Sequence, residues 1–218
     1  MNILDVRKNN IDRFLEENNI EIRETGDWKK WWHRVPRYLM IALYWAMWLI
    51  TLPFWILSFG FIPKFSGDPK HIWQGYDNCV YKAPSLKDVD VTDHENNPGS
   101  FTTLIHELTH VLDDQASEGK YKIDYFRPLP IGWSYRSPIE YRGSANQILI
   151  GRRIGYYDDT LEDWCRVEAG QIGGAKYVWP VIGKKDEIEQ GLKKILKLDE
   201  KENIQDIRYH PNLCQPAG

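Results

Sequence analysis

Residues 100–117 read SFTTLIHELTHVLDDQAS, and this stretch carries the clearest helical pattern in the 218-residue chain. Ser100 stands at the N-cap position expected of a helix, and Gly119 follows the last periodic residue. At about 100° per residue, one face of that helix collects the apolar side chains of Phe101, Leu104, Ile105, Leu108, Val111 and Leu112. His106 and His110 point to the opposite side. The sequence therefore predicts an amphipathic helix whose histidine pair is free of core packing.

Residues 106–110 form the pattern His-Glu-x-x-His. Two histidines four positions apart on a helix project from one face, so both imidazoles can bind one Zn²⁺ ion. Glu107 lies where it can accept a proton from a zinc-activated water. We therefore expect His106 and His110 to be metal ligands and Glu107 to be a general base. The histidine extension of metzincins is missing, so the third ligand should be a carboxylate.

The candidates for that carboxylate are the downstream residues Glu118, Asp124, Glu140, Glu162 and Glu168. Glu118 lies only two turns beyond His110 on the same predicted helix, so its side chain cannot reach the metal. Glu140 begins a second predicted helix, residues 138–149, after a connection long enough to reverse the chain direction. Small residues at 143–145 would let that helix pack closely against the first. Glu140 is therefore favoured as third ligand, with Glu162 or Glu168 as the alternatives.

A second stretch of the chain is strongly apolar. From Tyr38 to Ile62 there is no charged residue, and as a helix this stretch would be about 37 Å long. That length suffices to cross a bilayer core of about 30 Å. The preceding residues 28–37 contain Lys and Arg but no acidic residue, which by the positive-inside rule keeps the N-terminus in the cytoplasm. We expect a single-pass membrane segment, or at least a membrane-inserted one.

Two features of residues 38–62 favour a different interpretation. Trp45 and Trp48 lie near the middle of the segment, whereas membrane tryptophans prefer the interfaces. Pro53 interrupts the helical pattern. The alternative is that residues 38–51 and 54–62 are two short buried elements, which form a core hairpin or dock on a partner protein, in a soluble chain or in a larger assembly such as a virion.

The run His106-Glu107-Leu108-Thr109-His110, with Glu140 on a later helix, resembles the thermolysin-like zincins, or gluzincins. The resemblance covers about 45 residues. It implies His106, His110 and Glu140 as ligands of Zn²⁺, Glu107 as general base, and hydrolysis of peptide bonds in a peptide or protein substrate. Zincins also place an edge strand above the active-site helix to hold an extended peptide, and residues 71–81 could supply it. The implied fold is α+β: a minimal zincin-like domain with a small sheet, an active-site helix and a second ligand helix, preceded by a long apolar helical segment.

The chain departs from this family in two respects. The connection between His110 and Glu140 is longer than in thermolysin, and no histidine occurs between 111 and 209 to stabilise an oxyanion. The remaining candidates for transition-state support are Tyr141, Arg142, Tyr156 and Tyr157. Asp113 and Asp114 are candidates for orienting the histidine rings, or they form a solvated pair at the helix end.

Composition limits the other possibilities. The formal net charge is −3 and the pI is near 6.1, which does not favour a nucleic-acid partner. Cys79, Cys165 and Cys214 form no Cys-x-x-Cys pair, so a cysteine zinc ribbon is not expected. We therefore divide the chain into a charged N-terminal segment (1–37), the apolar segment (38–62) and a zincin-like domain (64–218). The predicted function is a membrane-anchored zinc metallopeptidase; the alternative is a structural, virion-associated or toxin-associated component that retains a zincin domain.

Overall fold

The computed structural model describes residues 8–59, 68–117, 120, 131–172 and 185–202. Within these ranges the chain is mixed α+β, as predicted, with six α-helices and a three-stranded sheet. The helices are α1 (Lys8–Glu17), α2 (Arg34–Leu57), α3 (Pro98–Ala116), α4 (Ile131–Arg153), α5 (Leu161–Ile172) and α6 (Lys185–Glu202). The strands are β1 (Glu21–Glu24), β2 (Gln74–Tyr76) and β3 (Cys79–Lys82).

Helix α3 is the element predicted from residues 100–117. It begins at Pro98, three residues before the expected first residue Phe101, and its N-cap is Asn97, so the N-cap predicted at Ser100 was wrong. Pro98 occupies the first turn, where a missing N–H costs nothing. Its predicted apolar side is buried, including Phe101, Leu104 and Leu108 at 0% exposure. The histidine side is also covered, since His106 and His110 are only 8% and 4% exposed. The helix is therefore packed on both sides, which the amphipathic pattern did not predict.

The sheet has the order β1-β3-β2, so β2 is an edge strand. Strands β2 and β3 form an antiparallel hairpin, in which Tyr76 is paired with Cys79. The two residues between them, Asp77 and Asn78, have φ angles of 51° and 61°, as a tight hairpin turn of this twist requires. The edge strand expected within residues 71–81 is therefore β2.

Residues 8–24 contribute to the same folded unit. Strand β1 pairs in parallel with β3, Glu21 opposite Cys79. Ile11 and Phe14 of α1 are each 1% exposed and belong to the core that contains Leu104 and Leu108. The segment that the sequence interpretation set apart as a charged N-terminus thus supplies a helix and a strand to the core around α3.

Helix α2 runs without interruption through Pro53 for 24 residues. It is long and apolar enough to span a membrane by length and composition, and none of its most apolar 18-residue window is buried. Trp45 and Leu49 are each 60% exposed, and Leu57 is 77% exposed. The helix therefore leaves the body of the molecule with its apolar side chains uncovered by the described residues.

The C-terminal helices complete the core. Helix α4 packs along α3 and begins at Ile131, so the predicted start at Pro138 was wrong; this proline lies inside the helix. Helix α5 begins where its capping pair predicted, with the Asp163 N–H donating to Thr160 Oγ1 at 3.2 Å. Helix α6 buries Ile188 and Leu192 against its neighbours. Residues 118, 119 and 121–130 of the predicted connection lie outside the described residues.

Candidate metal centre

His106, His110 and Glu140 come together between α3 and α4. Their ligand atoms all lie within 4.8 Å of one another. The distance from Glu140 Oε2 to His106 Nε2 is 3.4 Å, and to His110 Nε2 it is 3.8 Å. The imidazole rings are nearly perpendicular, at 87°, with centroids 4.7 Å apart. The structure thus brings together the three residues that the sequence singled out as ligands.

The spacing of these atoms fits a metal ion better than hydrogen bonds. A hydrogen bond between nitrogen and oxygen is about 2.7–3.2 Å long, shorter than either contact. Zn²⁺ binds imidazole nitrogen and carboxylate oxygen at about 2.0–2.2 Å in tetrahedral geometry, which separates neighbouring ligand atoms by about 3.3–3.5 Å. The distances of 3.4 and 3.8 Å are close to that edge length. Two imidazoles and one carboxylate are also a donor set that Zn²⁺ accepts, with one position left for water or substrate.

The close approach of α3 and α4 depends on Gly143. A β-carbon at this position would lie 2.9 Å from both Nε2 and Cε1 of His106. Real β-carbons essentially never approach so closely. The neighbouring Ser144 and Ala145 are also buried, at 1% and 0% exposure. The run of small residues after Glu140 therefore lets α4 place its carboxylate beside the imidazoles of α3.

The charges of the cluster support one another. Burial disfavours the charged forms of both Glu140 and His106, but their mutual contact outweighs it. The close contact with Glu140 and its negative charge raise the pKa of His106 to about 9. The two histidines hold the pKa of Glu140 well below its ordinary value. Without a metal, this contact therefore favours the charged forms of both His106 and Glu140.

Glu107 lies beside this cluster and beneath the edge strand. As a residue Glu107 is partly exposed, whereas the two histidines are buried. Burial raises the pKa of Glu107, and the positive field of His110 and His106 partly offsets that rise. A β-carbon at Gly75 of β2 would lie 2.5 Å from the Glu107 carbonyl oxygen and 3.1 Å from its Oε2. Strand β2 therefore crosses α3 directly at the predicted general base.

Asp113 and Asp114 are buried rather than solvated, at 1% and 7% exposure. Asp113 Oδ1 is 2.6 Å from Arg142 Nη2, and Arg142 is itself 0% exposed, so this ion pair joins α3 to α4. Asp114 Oδ2 accepts a hydrogen bond of 3.0 Å from the Asp77 N–H in the hairpin turn. Both residues thus hold the helix against its neighbours, and Arg142 is engaged with Asp113.

The tyrosines proposed for transition-state support have other contacts. Tyr141 packs against Gly191 of α6 and is 8% exposed. Tyr157 is stacked on Trp164 with ring centroids 3.7 Å apart. Tyr156 is 43% exposed and lies against Gly99 at the start of α3. These contacts give Tyr141 and Tyr157 places in the core.

Among the described residues, the alternative third ligands Glu162 and Glu168 lie outside the three-ligand cluster. Glu162 has 71% of its side chain exposed and lies 4.0 Å from Lys193. Glu168 on α5 is buried, at 4% exposure, and its Oε1 has no hydrogen-bond partner in the described part of the chain. Burial raises the pKa of Glu168, and the charge of His106 lowers it. Glu118 and Asp124 lie outside the described residues.

No protein-family model, curated protein or solved structure matches this chain. The resemblance to thermolysin-like zincins therefore stays a prediction from the His106–His110 run and Glu140. The structure shows an α+β fold in which His106, His110 and Glu140 could hold a metal ion. The carboxylate of Glu107 lies beside them.

Proposed function

We propose that the protein is a zinc metallopeptidase. The observation that carries the proposal is the cluster of His106, His110 and Glu140, whose ligand atoms all lie within 4.8 Å of one another beside the partly exposed Glu107. A Zn²⁺ ion held by these residues would lower the pKa of a water molecule and polarise a substrate carbonyl. The chemistry proposed is therefore hydrolysis of a peptide bond.

In this proposal Glu107 moves the proton. Its carboxylate is partly buried, and burial raises its pKa, which brings it nearer to the value suited to a base at neutral pH. Glu107 accepts a proton from the attacking water and delivers it to the leaving amine. Helices α3 and α4 carry His106, His110 and Glu140, so these ligands keep their positions relative to Glu107.

The edge strand supports a peptide as the substrate. Strand β2 pairs with β3 on one side, and no described strand pairs with its other side. An extended peptide can add to such an edge through main-chain hydrogen bonds. Because Gly75 of β2 touches Glu107, a peptide bound there would lie next to the metal ligands.

The apolar helix supports membrane association. Helix α2 meets the length and composition of a membrane span, and its flank carries exposed basic residues, Lys30 and Arg34. By the positive-inside rule, its N-terminal end faces the cytoplasm. A single crossing in that orientation is what the sequence alone predicts.

The decisive experiment combines metal analysis with a proteolysis assay. We expect about one zinc per chain in purified protein, and loss of that zinc in the His106→Ala/His110→Ala double variant. Glu107→Gln should keep the zinc and lose cleavage of a fluorescently labelled, unfolded protein by about a hundredfold or more. Zinc that persists in the double variant would refute the site.

A structural role for the metal is the second candidate. It is favoured by the burial of the ligands, since His106, His110 and Glu140 are 8%, 4% and 1% exposed, as in closed structural sites. In a structural, virion-associated or toxin-associated component, the metal would join α3 to α4 and α2 would dock on a partner protein. Biological function that survives Glu107→Gln with zinc retained would favour this role.

A further inference from the structure

The apolar helix α2 begins at the sheet, and the chain returns to the sheet after it. On the N-terminal side, His33 Nε2 donates to Asp77 Oδ2 at 3.0 Å in the hairpin turn. One helical turn later, Arg37 Nη1 donates to the Ile72 carbonyl at 3.1 Å. Residues that precede α2 and residues that follow it are therefore in direct contact at its N-terminal end.

The pairing of the strands also shows that the residues before α2 and those after it belong to one folded unit. Strand β1 precedes α2 and β3 follows it, and these two strands are hydrogen-bonded neighbours. Thr25 Oγ1 also donates to the Lys82 carbonyl at 2.5 Å. A single crossing of a bilayer by α2 would place β1 and β3 on opposite sides and separate them. The single-pass arrangement is therefore incompatible with this sheet.

A crossing followed by a return would require the ten residues after α2 to recross the whole bilayer core. Leu57 lies 20 residues beyond Arg37, or about 30 Å along the helix. Only residues 58–67 separate Leu57 from Asp68, and ten residues as a helix cover about 15 Å, half of the bilayer core. An extended chain exposed to lipid would leave its backbone groups unpaired. Recrossing the core would therefore require an extended chain whose backbone groups stay unpaired in lipid, and a shallow insertion avoids this cost.

The surface of α2 nonetheless suits the interior of a lipid leaflet. Leu49, Ile50 and Trp55 lie about 100–140° apart around the helix axis and are 60%, 58% and 39% exposed, so apolar groups cover all sides. A helix that lies flat in the membrane interface needs a polar face, which α2 lacks. Thr51 Oγ1 donates to the Met47 carbonyl at 2.8 Å, so its hydroxyl is satisfied within the helix.

The base of α2 has the groups that contact lipid headgroups. Trp31 and Trp32 are 67% and 44% exposed. Lys30 Nζ lies 5.0 Å from the centre of the Trp32 ring, and Arg34 is exposed in the first turn. Exposed tryptophans and basic side chains favour the boundary between acyl chains and anionic headgroups.

We propose that α2 is a monotopic membrane arm. It enters the cytoplasmic leaflet obliquely and does not cross the bilayer, so that β1, the metal centre and the C-terminal helices all stay on the cytoplasmic side. The occupant of the apolar surface is lipid with anionic headgroups. This inference does not depend on the proposed peptidase activity.

Cysteine accessibility in bacterial spheroplasts tests this topology. In full-length protein carrying Cys214→Ser, in which the remaining Cys79 and Cys165 are buried, one further cysteine is introduced at a time: Asp27→Cys before α2, Ser85→Cys after it, or Phe59→Cys at its far end. A membrane-impermeant maleimide should label the first two equally, and only after the spheroplasts are opened. Phe59→Cys should react only after detergent is added. Far-ultraviolet circular dichroism of the purified variants controls for folding.

Three results would overturn the proposal. Labelling of Ser85→Cys but not Asp27→Cys in intact spheroplasts would show a single crossing, and labelling of Phe59→Cys there would show that α2 reaches the far side. Labelling of Phe59→Cys in opened spheroplasts without detergent would show that lipid does not cover α2.

A matched pair of charge substitutions tests whether lipid covers the apolar surface of α2. Leu49 on α2 and Val167 on α5 are both exposed, at 60% and 45%. Leu49→Arg should reduce the fraction of protein that resists an alkaline wash of the membranes at least severalfold, whereas Val167→Arg should leave it unchanged. Unchanged membrane retention of Leu49→Arg, or wild-type protein that is washed off as an oligomer, would refute lipid as the occupant.

Discussion

Gly143 lies against the imidazole of His106 so closely that a β-carbon there would be 2.9 Å from Nε2. Gly143→Ala should therefore push His106 away from Glu140 and weaken zinc binding by about tenfold or more, as expected when ligand support is disturbed. The measurement is zinc affinity by competition with a chelating dye.

The matched control is Gly170→Ala, also within a helix. The nearest atom to a β-carbon at Gly170 is Lys185 Cε at 3.8 Å, an ordinary contact. This substitution should leave the zinc affinity within about twofold and slightly favour the helix. Equal affinities of the two variants would show that contact with His106 does not position the ligand.

Substitution of Glu140 and of Glu168 tests which of these two buried carboxylates is the third metal ligand. Glu140→Gln should lower zinc affinity by at least about a hundredfold, because it removes one of three protein ligands. Glu168→Gln should retain the zinc, since Glu168 lies outside the three-ligand cluster. Isothermal titration measures both affinities, and loss of zinc only in Glu168→Gln would assign the third ligand to α5.

Zinc binding should release a proton. The contact with Glu140 raises the pKa of His106 to about 9, so near pH 7.5 the metal-free protein carries a protonated His106. A metal ligand must be deprotonated, so binding releases about one proton. The apparent affinity should then fall about tenfold for each pH unit below that pKa. Titration in buffers of different ionisation enthalpy counts the protons, and a count of zero would contradict the prediction.

Removal of one partner of the Asp113–Arg142 ion pair should destabilise the fold more than removal of both partners. Both side chains are buried, at 1% and 0% exposure. Arg142→Met leaves the Asp113 carboxylate buried and unpaired, which should cost about 3–5 kcal/mol in the free energy of unfolding. The double variant Asp113→Leu/Arg142→Met removes both charges and should recover most of that loss. Urea denaturation gives both values, and equal losses in the single and double variants would argue against coupling.

Removal of zinc by a chelator should lower the thermal stability of the protein, because the His106, His110 and Glu140 site then loses its metal. A ligand at about 100 times its dissociation constant stabilises a protein by about 2.7 kcal/mol, which for a chain of this size is about 5–10 °C in Tm. Addition of EDTA should remove this increment from the wild type. Glu140→Gln should melt at the same temperature with and without EDTA, and a shift in that variant would place the metal elsewhere.

Much of the site could be predicted from local sequence. The spacing of His106 and His110 fixes their common face as soon as the segment is helical, and the apolar period between 101 and 112 predicts that helix. Glu140 followed by small residues at 143–145 indicates a close helix contact, and the two helices do pack there. The roles of Asp113 and Asp114 could not be predicted, because their partners Arg142 and Asp77 lie at sequence distances that carry no periodic signal.

The sequence by itself determined the two strongest local features of this protein: the helix with the His106–His110 pair and the uncharged helix α2. Both follow from periodicity and composition, which act over neighbouring residues. Tertiary structure decided where these features lie. The pairing of β1 with β3 and of His33 with Asp77 brings the two flanks of α2 into one body. Hydropathy alone predicted a crossing, because it measures the cost of placing a segment in lipid and contains no information on which strands are neighbours.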